Sequence, residues 1–468
     1  MNIILVVFDS LRKDCLGADS SPPWGAVHTP NLDRFAEESL VMTEALPETL
    51  PTLPARRAIY TGRRVYPFHD GDFHLHGDFV GAPGWGPIPE EQPTVAELLS
   101  QSRYRTGLVS DLYHMFKPSK NFWRGFHQWT FLRGQEIDSA RSGPRLTQEE
   151  VDYWLPSELQ NPQRVAFIKR CITNMRDRTL EEDFFSPQVF REAALWLEQN
   201  RDAERFFLTV ESFDPHEPWL VPEHYRRMYL DEDGREQVLS LYGDVADLDP
   251  KLLERTRANY SGSVTLCDRW FGFFLETLKA QGRLDDTMII VTSDHGHSIG
   301  ERGFMGKRGY PSVPEVFDIP LMVRFPGGEH AGSSSPQFVQ HHDIAAVILE
   351  AAAVEPPADI EGVSFLSSAL SGNTGKRDHA TVGWGSAVTV VTDRWWLNCK
   401  ADGSGVLLYD RQQADPFQEN VADENVATVN ELFALARADA VGGFPHWILD
   451  LAHSQQDAPG CSELAARA

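Results

Sequence analysis

Five short, continuous, largely apolar runs punctuate the chain: IILVVF (3–8), TGLVS (106–110), RFFLTVESF (205–213), TMIIVTS (287–293) and PLMVRF (320–325). Runs of this length and character suit strands covered on both faces. Helix-like stretches separate them: TVAELLSQS (94–102), PQVFREAALWLEQN (187–200), the 262–282 segment and HDIAAVILEAAA (342–353). Strand and helix in alternation predict an α/β layered fold around a mostly parallel sheet. Ligands of such sheets bind beyond the carboxyl ends of the strands. Asp9 follows the first run, His216 follows the third, and Asp294 and His295 follow the fourth, so all point at one edge.

At 468 residues the chain exceeds the size at which one core stops growing. Two units are expected, a catalytic domain over 1–375 and a smaller C-terminal domain over 376–468. In the second, VTVVTD, WWLNCK and VLLYDR read as an antiparallel meander followed by a helix near 427–438. The stretch 111–186, rich in Trp, Arg, Pro and acids, breaks the alternation and reads as an insertion that covers the site.

Composition excludes several functions. A formal charge of -25 repels nucleic acid and anionic membrane, and an anionic small substrate needs a local cationic site. Five cysteines, Cys15, Cys171, Cys267, Cys399 and Cys461, are scattered and never paired as CxxC, which argues against a disulfide framework and a thiolate zinc site. No apolar run approaches ~18 residues, and MNIILVVFDS reads as a first strand rather than a signal peptide. The expected address is the cytoplasm. Homo-oligomerisation stays open.

Taken singly, the polar residues at the strand ends have ordinary readings: Asp9 as a helix cap, Asp294-His295 as a surface loop, His216 and Lys307 as solvated side chains. Together with the hydroxyl of Thr52, the acids Asp9 and Asp294 and the imidazole of His295 form an O/O/O/N set suited to a hard or borderline divalent cation. Two prolines flank His216 in SFDPHEPW and fix its backbone. Arg56, Arg57, Arg63 and Arg64 concentrate positive charge in an acidic chain, and a planar guanidinium suits a tetrahedral oxyanion.

These residues resemble the sulfatase branch of the alkaline phosphatase superfamily, nearly end to end. FDSLRKDCLG resembles the opening metal motif, TLPARRAIYTG the signature C/S-x-P-x-R-x-x-x-x-T-G, and HEP the HxP element. SDHGHSIGERGFMGK resembles the second metal motif with its lysine, and LYDRQQADPFQENVA the element LYDL-DP-E-x-N of the C-terminal domain. The resemblance implies an αβα layered fold of the alkaline phosphatase type, with a mostly parallel sheet and a smaller antiparallel C-terminal sheet. It also implies one divalent ion held by Asp9, Thr52, Asp294 and His295, and catalytic roles for Thr52, Arg56, His216 and Lys307.

Four departures refine that expectation. Thr52 stands where sulfatases convert Cys or Ser to formylglycine, and threonine cannot become that aldehyde. A threonine ester has no hemiacetal collapse to release its group, so water must attack phosphorus or sulfur directly. That tilts the reading toward phosphodiesters or phosphonate monoesters, with a covalent phospho-Thr52 intermediate. Ser10 replaces a second ligand Asp, and His295 stands where many calcium sulfatases have Asn; both resemble phosphonate monoester hydrolases. An imidazole ligand favours manganese, zinc or iron over calcium, manganese first. SDLYHMF replaces GKWH, losing the lysine while His114 keeps its place. His341-His342 keeps a second zinc open, although Lys307 and His216 resemble groups that fill that position. Arg57 and His114 are candidate substrate contacts; Arg63, Arg64, His69, His74 and His76 are further entrance candidates, and Trp123 with the 77–86 stretch is a candidate for the leaving group. Rival readings are a sulfatase, a phosphotransferase or mutase, and an inactive anion-binding relative.

Overall fold

The computed structural model of the chain describes residues 1–17, 20–68, 83–117, 119–231, 242–372, 377–413 and 417–453. Strand Asn2–Phe8 is buried along its whole length because it runs between two parallel neighbours, Phe206–Ser212 and Thr287–Ser293. Val6 lies opposite Val210 on one side and Val291 on the other. The period-two geometry of a strand then splits its side chains between two cores. Ile4, Val6 and Phe8 meet the helices Pro30–Glu37, Phe185–Gln199 and Pro250–Ala280, whereas Ile3, Leu5 and Val7 meet Val95–Gln101, Thr52–Thr61 and His341–Ala352.

Eight strands form this sheet, in the order Ser333–Gln340, Leu40–Leu46, Leu321–Arg324, Thr287–Ser293, Asn2–Phe8, Phe206–Ser212, Arg105–Ser110, Gln128–Phe131. Only Leu321–Arg324 runs against the rest. The layered α/β expectation is therefore met, with all five apolar runs in the sheet. Leu40–Leu46 and Ser333–Gln340 were not expected as strands, because they mix polar with apolar residues. The 111–186 segment is not wholly an insertion: Gln128–Phe131 completes the sheet edge beside Arg105–Ser110, and only then do the helices Gln148–Trp154 and Pro162–Met175 follow.

A second sheet of four antiparallel strands, His379–Trp384, Ala387–Thr392, Trp395–Lys400 and Leu407–Asp410, packs with helix Val426–Asp439. The first of these strands lay outside the expected meander. It is stitched to the segment leading into Thr52: Leu50 N donates to Gly383 O (2.9 Å) and Gly383 N to Glu48 O (3.1 Å). Gly383 is required there, since a Cβ would stand 1.9 Å from the Tyr66 ring. The four described cysteines are free and buried, and Cys461 lies outside the described residues. Among the described residues no helix is long and apolar enough to cross a membrane.

Phe271 joins the helical layer to the sheet, with ring centroids 6.3 Å from Phe8, 5.2 Å from Phe35 and 6.1 Å from Phe190. Phe271→Ala is expected to cost about 3–5 kcal/mol in denaturant unfolding. A cost below about 1 kcal/mol would show that this contact does not anchor the layer.

Candidate active site

The sheet's carboxyl edge builds the site. Asp9 follows Phe8 and Asp294 follows Ser293, and the backbone ladder continues one step beyond the strands: Asp9 N donates to Ser212 O (2.9 Å) and Asp294 N to Phe8 O (3.2 Å). Both carboxylates are thereby set side by side. Ser10 sits at φ 63°, a region that side chains other than glycine's rarely adopt. That turn lets Ser10 donate from Oγ to Asp9 Oδ1 (2.8 Å) and from its backbone N to Asp294 Oδ1 (3.0 Å). Gly296 allows the chain beyond His295 to pass close to the next loop, since a Cβ there would stand 2.1 Å from Glu315 O.

Arg56 ties these acids together from the second turn of helix Thr52–Thr61. It is fully buried; Nη1 donates to Asp9 Oδ2 (3.1 Å), to Asp294 Oδ2 and to Thr52 O (3.2 Å), and Nε donates to Glu211 Oε2 (2.8 Å). Burial alone would depress its pKa, but Glu211, Asp294 and Asp9 raise it well above the ordinary value. Its Nη2 is buried without a hydrogen-bond partner. Glu211 was missed by sequence reasoning because it hides inside the buried strand Phe206–Ser212.

His295 completes the set. Its Nδ1 lies 3.0 Å from the Gly296 carbonyl, which can only accept, so Nδ1 carries the hydrogen and Nε2 offers a lone pair. Nε2 is 3.3 Å from Thr52 Oγ1. Burial, then Lys307, pushes the imidazole pKa down to about 3, so it is neutral at physiological pH. Ligand atoms of Asp9, Asp294 and His295 lie within 4.8 Å of one another. This donor set fits a divalent cation: two carboxylates, a neutral imidazole and an adjacent hydroxyl, in a buried cluster where one guanidinium faces three acids.

A second group of side chains stands next to it. His216 Nδ1 donates to Glu217 O (2.8 Å), and Nε2 accepts from Lys307 Nζ (2.7 Å). Burial pushes this imidazole too down to about 3, opposed by Glu217 and reinforced by Lys307. Glu136, unmarked in the sequence, reaches this pair from the 111–186 segment; burial and then Glu217 push its carboxyl up to about 8, and Tyr113 donates to it (2.9 Å).

The remaining candidates scatter. His114 stands 3.9 Å from Glu136 and edge-on to Trp85, and Arg57 donates to Gln92 (3.3 Å). Arg63 and Arg64 pair with Asp359 and Asp439, which makes them clamps between chain segments. His341 Nε2 donates to Ser293 O (2.9 Å) and His342 meets Arg377; neither belongs to a potential ligand group among the described residues. Trp123 lies against Trp129 at the sheet edge. His69, His74, His76 and residues 77–82 lie outside the described residues.

Comparison with known proteins gives the family and the fold. Residues 1–354 match the family model for sulfatases. The chain is 27% identical over 413 residues to the multifunctional alkaline phosphatase superfamily protein PehA of Trinickia caryophylli, covering 78% of this chain and 76% of that protein. It is 26% identical over 404 residues to an arylsulfatase of Clostridium perfringens, covering 81% and 80%. Among solved structures, phosphonate monoester hydrolases from Silicibacter pomeroyi (TM-score 0.68, 20% identity, 97% of this chain and 96% of that one) and Agrobacterium radiobacter (TM-score 0.67, 20% identity, 98% and 97%) share the fold.

Elemental analysis of the purified protein is expected to find one divalent ion per chain. Asp9→Asn and Asp294→Asn should each reduce it to trace levels, because either change leaves too few hard donors. Full occupancy in both variants would mean that the ion sits elsewhere.

Proposed function

The chain belongs to the sulfatase family of ester-hydrolysing enzymes, and from that premise we propose that it cleaves phosphodiesters or phosphonate monoesters through a covalent phospho-Thr52 intermediate. The observation that carries this reading is the identity and position of Thr52: a plain alcohol, first residue of helix Thr52–Thr61, with Oγ1 3.3 Å from His295 Nε2. The helix's positive end favours negative charge on and around that oxygen. Family enzymes use a divalent metal; held here by Asp9, Asp294, His295 and Thr52, it would polarise a phosphoryl oxygen and acidify the attacking hydroxyl. The imidazole in the set favours manganese, with zinc and iron next.

The chain's own groups do the rest. Arg56, bonded to Thr52 O, fixes the turn that carries the nucleophile, and its unpartnered buried Nη2 is a donor suited to a substrate oxygen. Thr52 Oγ1 gives up its proton to solvent and attacks phosphorus in line as the bond to the leaving oxygen breaks. Lys307 and His216, joined at 2.7 Å, are assigned to that oxygen, where they neutralise the charge that develops and supply its proton. In the second step His216 takes a proton from water, which attacks phosphorus; the bond to Thr52 breaks and its oxygen regains a proton from solvent. A divalent ion held beside Arg56 and Lys307 would offset the acids of the site and let an acidic chain accept a small anionic ester.

A sulfatase is the second reading, favoured by the likeness to an arylsulfatase. Paired assays with an aryl phosphodiester, an aryl phosphonate monoester and an aryl sulfate separate the two. Thr52→Ala is expected to lower phosphonate or phosphodiester turnover by at least about 10³-fold. Quenched wild-type enzyme should carry one extra phosphoryl group on the peptide containing Thr52, by mass spectrometry. Near-normal turnover in Thr52→Ala would end the covalent mechanism.

A further inference from the structure

Behind the His216–Lys307 pair lies a third charged group. Glu217 is 2% exposed, and its Oε1 accepts the Tyr242 hydroxyl. Its Oε2 accepts no hydrogen bond, yet stands 3.4 Å from His216 Nδ1, 3.4 Å from His297 Nδ1 and 3.7 Å from Lys307 Nζ. A buried carboxylate oxygen without a hydrogen bond is costly unless a cation faces it. Lys307 supplies that cation: His216 is engaged through both nitrogens, Nδ1 on Glu217 O and Nε2 on the lysine, and burial holds His297, the other ring at this oxygen, neutral. The charged and titratable groups around His216 are Glu217 on its own loop, Lys307 beyond strand Phe304–Gly306, Asp9 at the first strand's end and Glu136 from the 111–186 segment.

From this geometry we propose that Glu217 is a positioning residue that keeps the proton on the Lys307–His216 pair. Resting on the ester-hydrolase reading of the site, the step runs as follows. The bond from phosphorus to the leaving oxygen breaks and its electron pair stays on that oxygen. The oxygen takes the proton the pair carries. The water that later attacks phospho-Thr52 returns one. The Glu217 carboxylate makes the first transfer available at neutral pH by compensating the lysine's charge in a buried site. Consistent with that role, burial opposes ionisation of Glu217, but His216, Lys307 and His297 hold its carboxyl well below the usual carboxylate range. A second metal in the Glu136, His216 and Glu217 group is disfavoured because the Lys307 ammonium already holds the His216 Nε2 lone pair (2.7 Å) and stands 3.7 Å from Glu217 Oε2.

The test compares Glu217→Gln with the wild type on two phosphonate monoesters that differ only in leaving group, phenyl and 4-nitrophenyl. 4-Nitrophenolate departs without a proton and phenolate needs one. The expected result is a fall in kcat/KM of about 10²-fold for the phenyl ester against less than about 5-fold for the 4-nitrophenyl ester. The alkaline limb of the phenyl pH profile should move about one unit lower, and Glu217→Asp should recover most of the loss. Matching thermal transitions and metal contents show that Glu217→Gln is folded and loaded. Equal losses on both esters, or an unmoved alkaline limb, would overturn the assignment. If the wild type cleaves neither these phosphonates nor the matching phenyl and 4-nitrophenyl phosphodiesters, the phosphate reading fails by itself. The same contrast is then read on phenyl and 4-nitrophenyl sulfate, where a loss independent of leaving group overturns the role of Glu217.

Discussion

One buried guanidinium carries the architecture of the site. Arg56 reaches Asp9 and Asp294 through the same nitrogen and Glu211 through Nε, so it joins three neighbouring strand ends to the helix that presents Thr52. Charges this deep are tolerated only when paired and hydrogen-bonded. Each partner therefore has a second tether: Ser10 to Asp9 and Asp294, and Tyr60 to Glu211 (3.0 Å). Glu211 has a distinct part in this. It gives Arg56 an anchor that lies outside the group able to hold a cation, so the guanidinium would keep a partner with Asp9 and Asp294 holding a metal.

The sheet makes that arrangement affordable. Asn2–Phe8 lies between two parallel neighbours, and helices cover both faces, so its carboxyl end is held by continuous backbone pairing and two packed cores. Rigid strands ending in polar residues place those residues more exactly than a loop of similar length. The C-terminal sheet adds a brace: Gly383 pairs with Glu48 and Leu50 just before the helix that opens at Thr52. The smaller sheet thus bears on the start of the Thr52 helix through backbone pairing and through side chains, with Thr49 Oγ1 also donating to Gly383 O (3.1 Å) and Leu50 packing among Val382 and Trp384.

Much of this was legible in the sequence because the physics is local. Continuous apolar runs marked the five strands that lie at or beside the centre of the sheet, and the polar residues immediately after them marked the working edge. The strands that were missed lie toward the margins. Leu40–Leu46 and Ser333–Gln340 carry mixed polarity, and Gln128–Phe131 is a short edge strand in a region otherwise unlike the rest. Asp9, Thr52, Arg56, His216, Asp294, His295 and Lys307 were read from motif spacing. Glu211, Glu136 and Glu217 were not, because their significance is entirely tertiary: an acid inside a strand, one on an irregular segment, and one beside a histidine that drew attention first.

The two halves of the site divide the charge problem differently. Around Thr52 the acids outnumber the cations, which suits a dication and an attacking oxygen that must lose its proton. Around His216 a lysine, a carboxylate and a neutral imidazole stand together, which suits a departing oxygen that must gain one. His295 and His216 are both held neutral, by burial first and Lys307 as well, and each gives its Nδ1 hydrogen to the carbonyl of the following or adjoining loop residue. The same local device therefore directs one Nε2 toward the Thr52 hydroxyl and the other toward the lysine. In-line displacement, as proposed for this site, needs opposite proton traffic at its two ends, and an edge with acids around Thr52 and a lysine beside His216 suits that asymmetry.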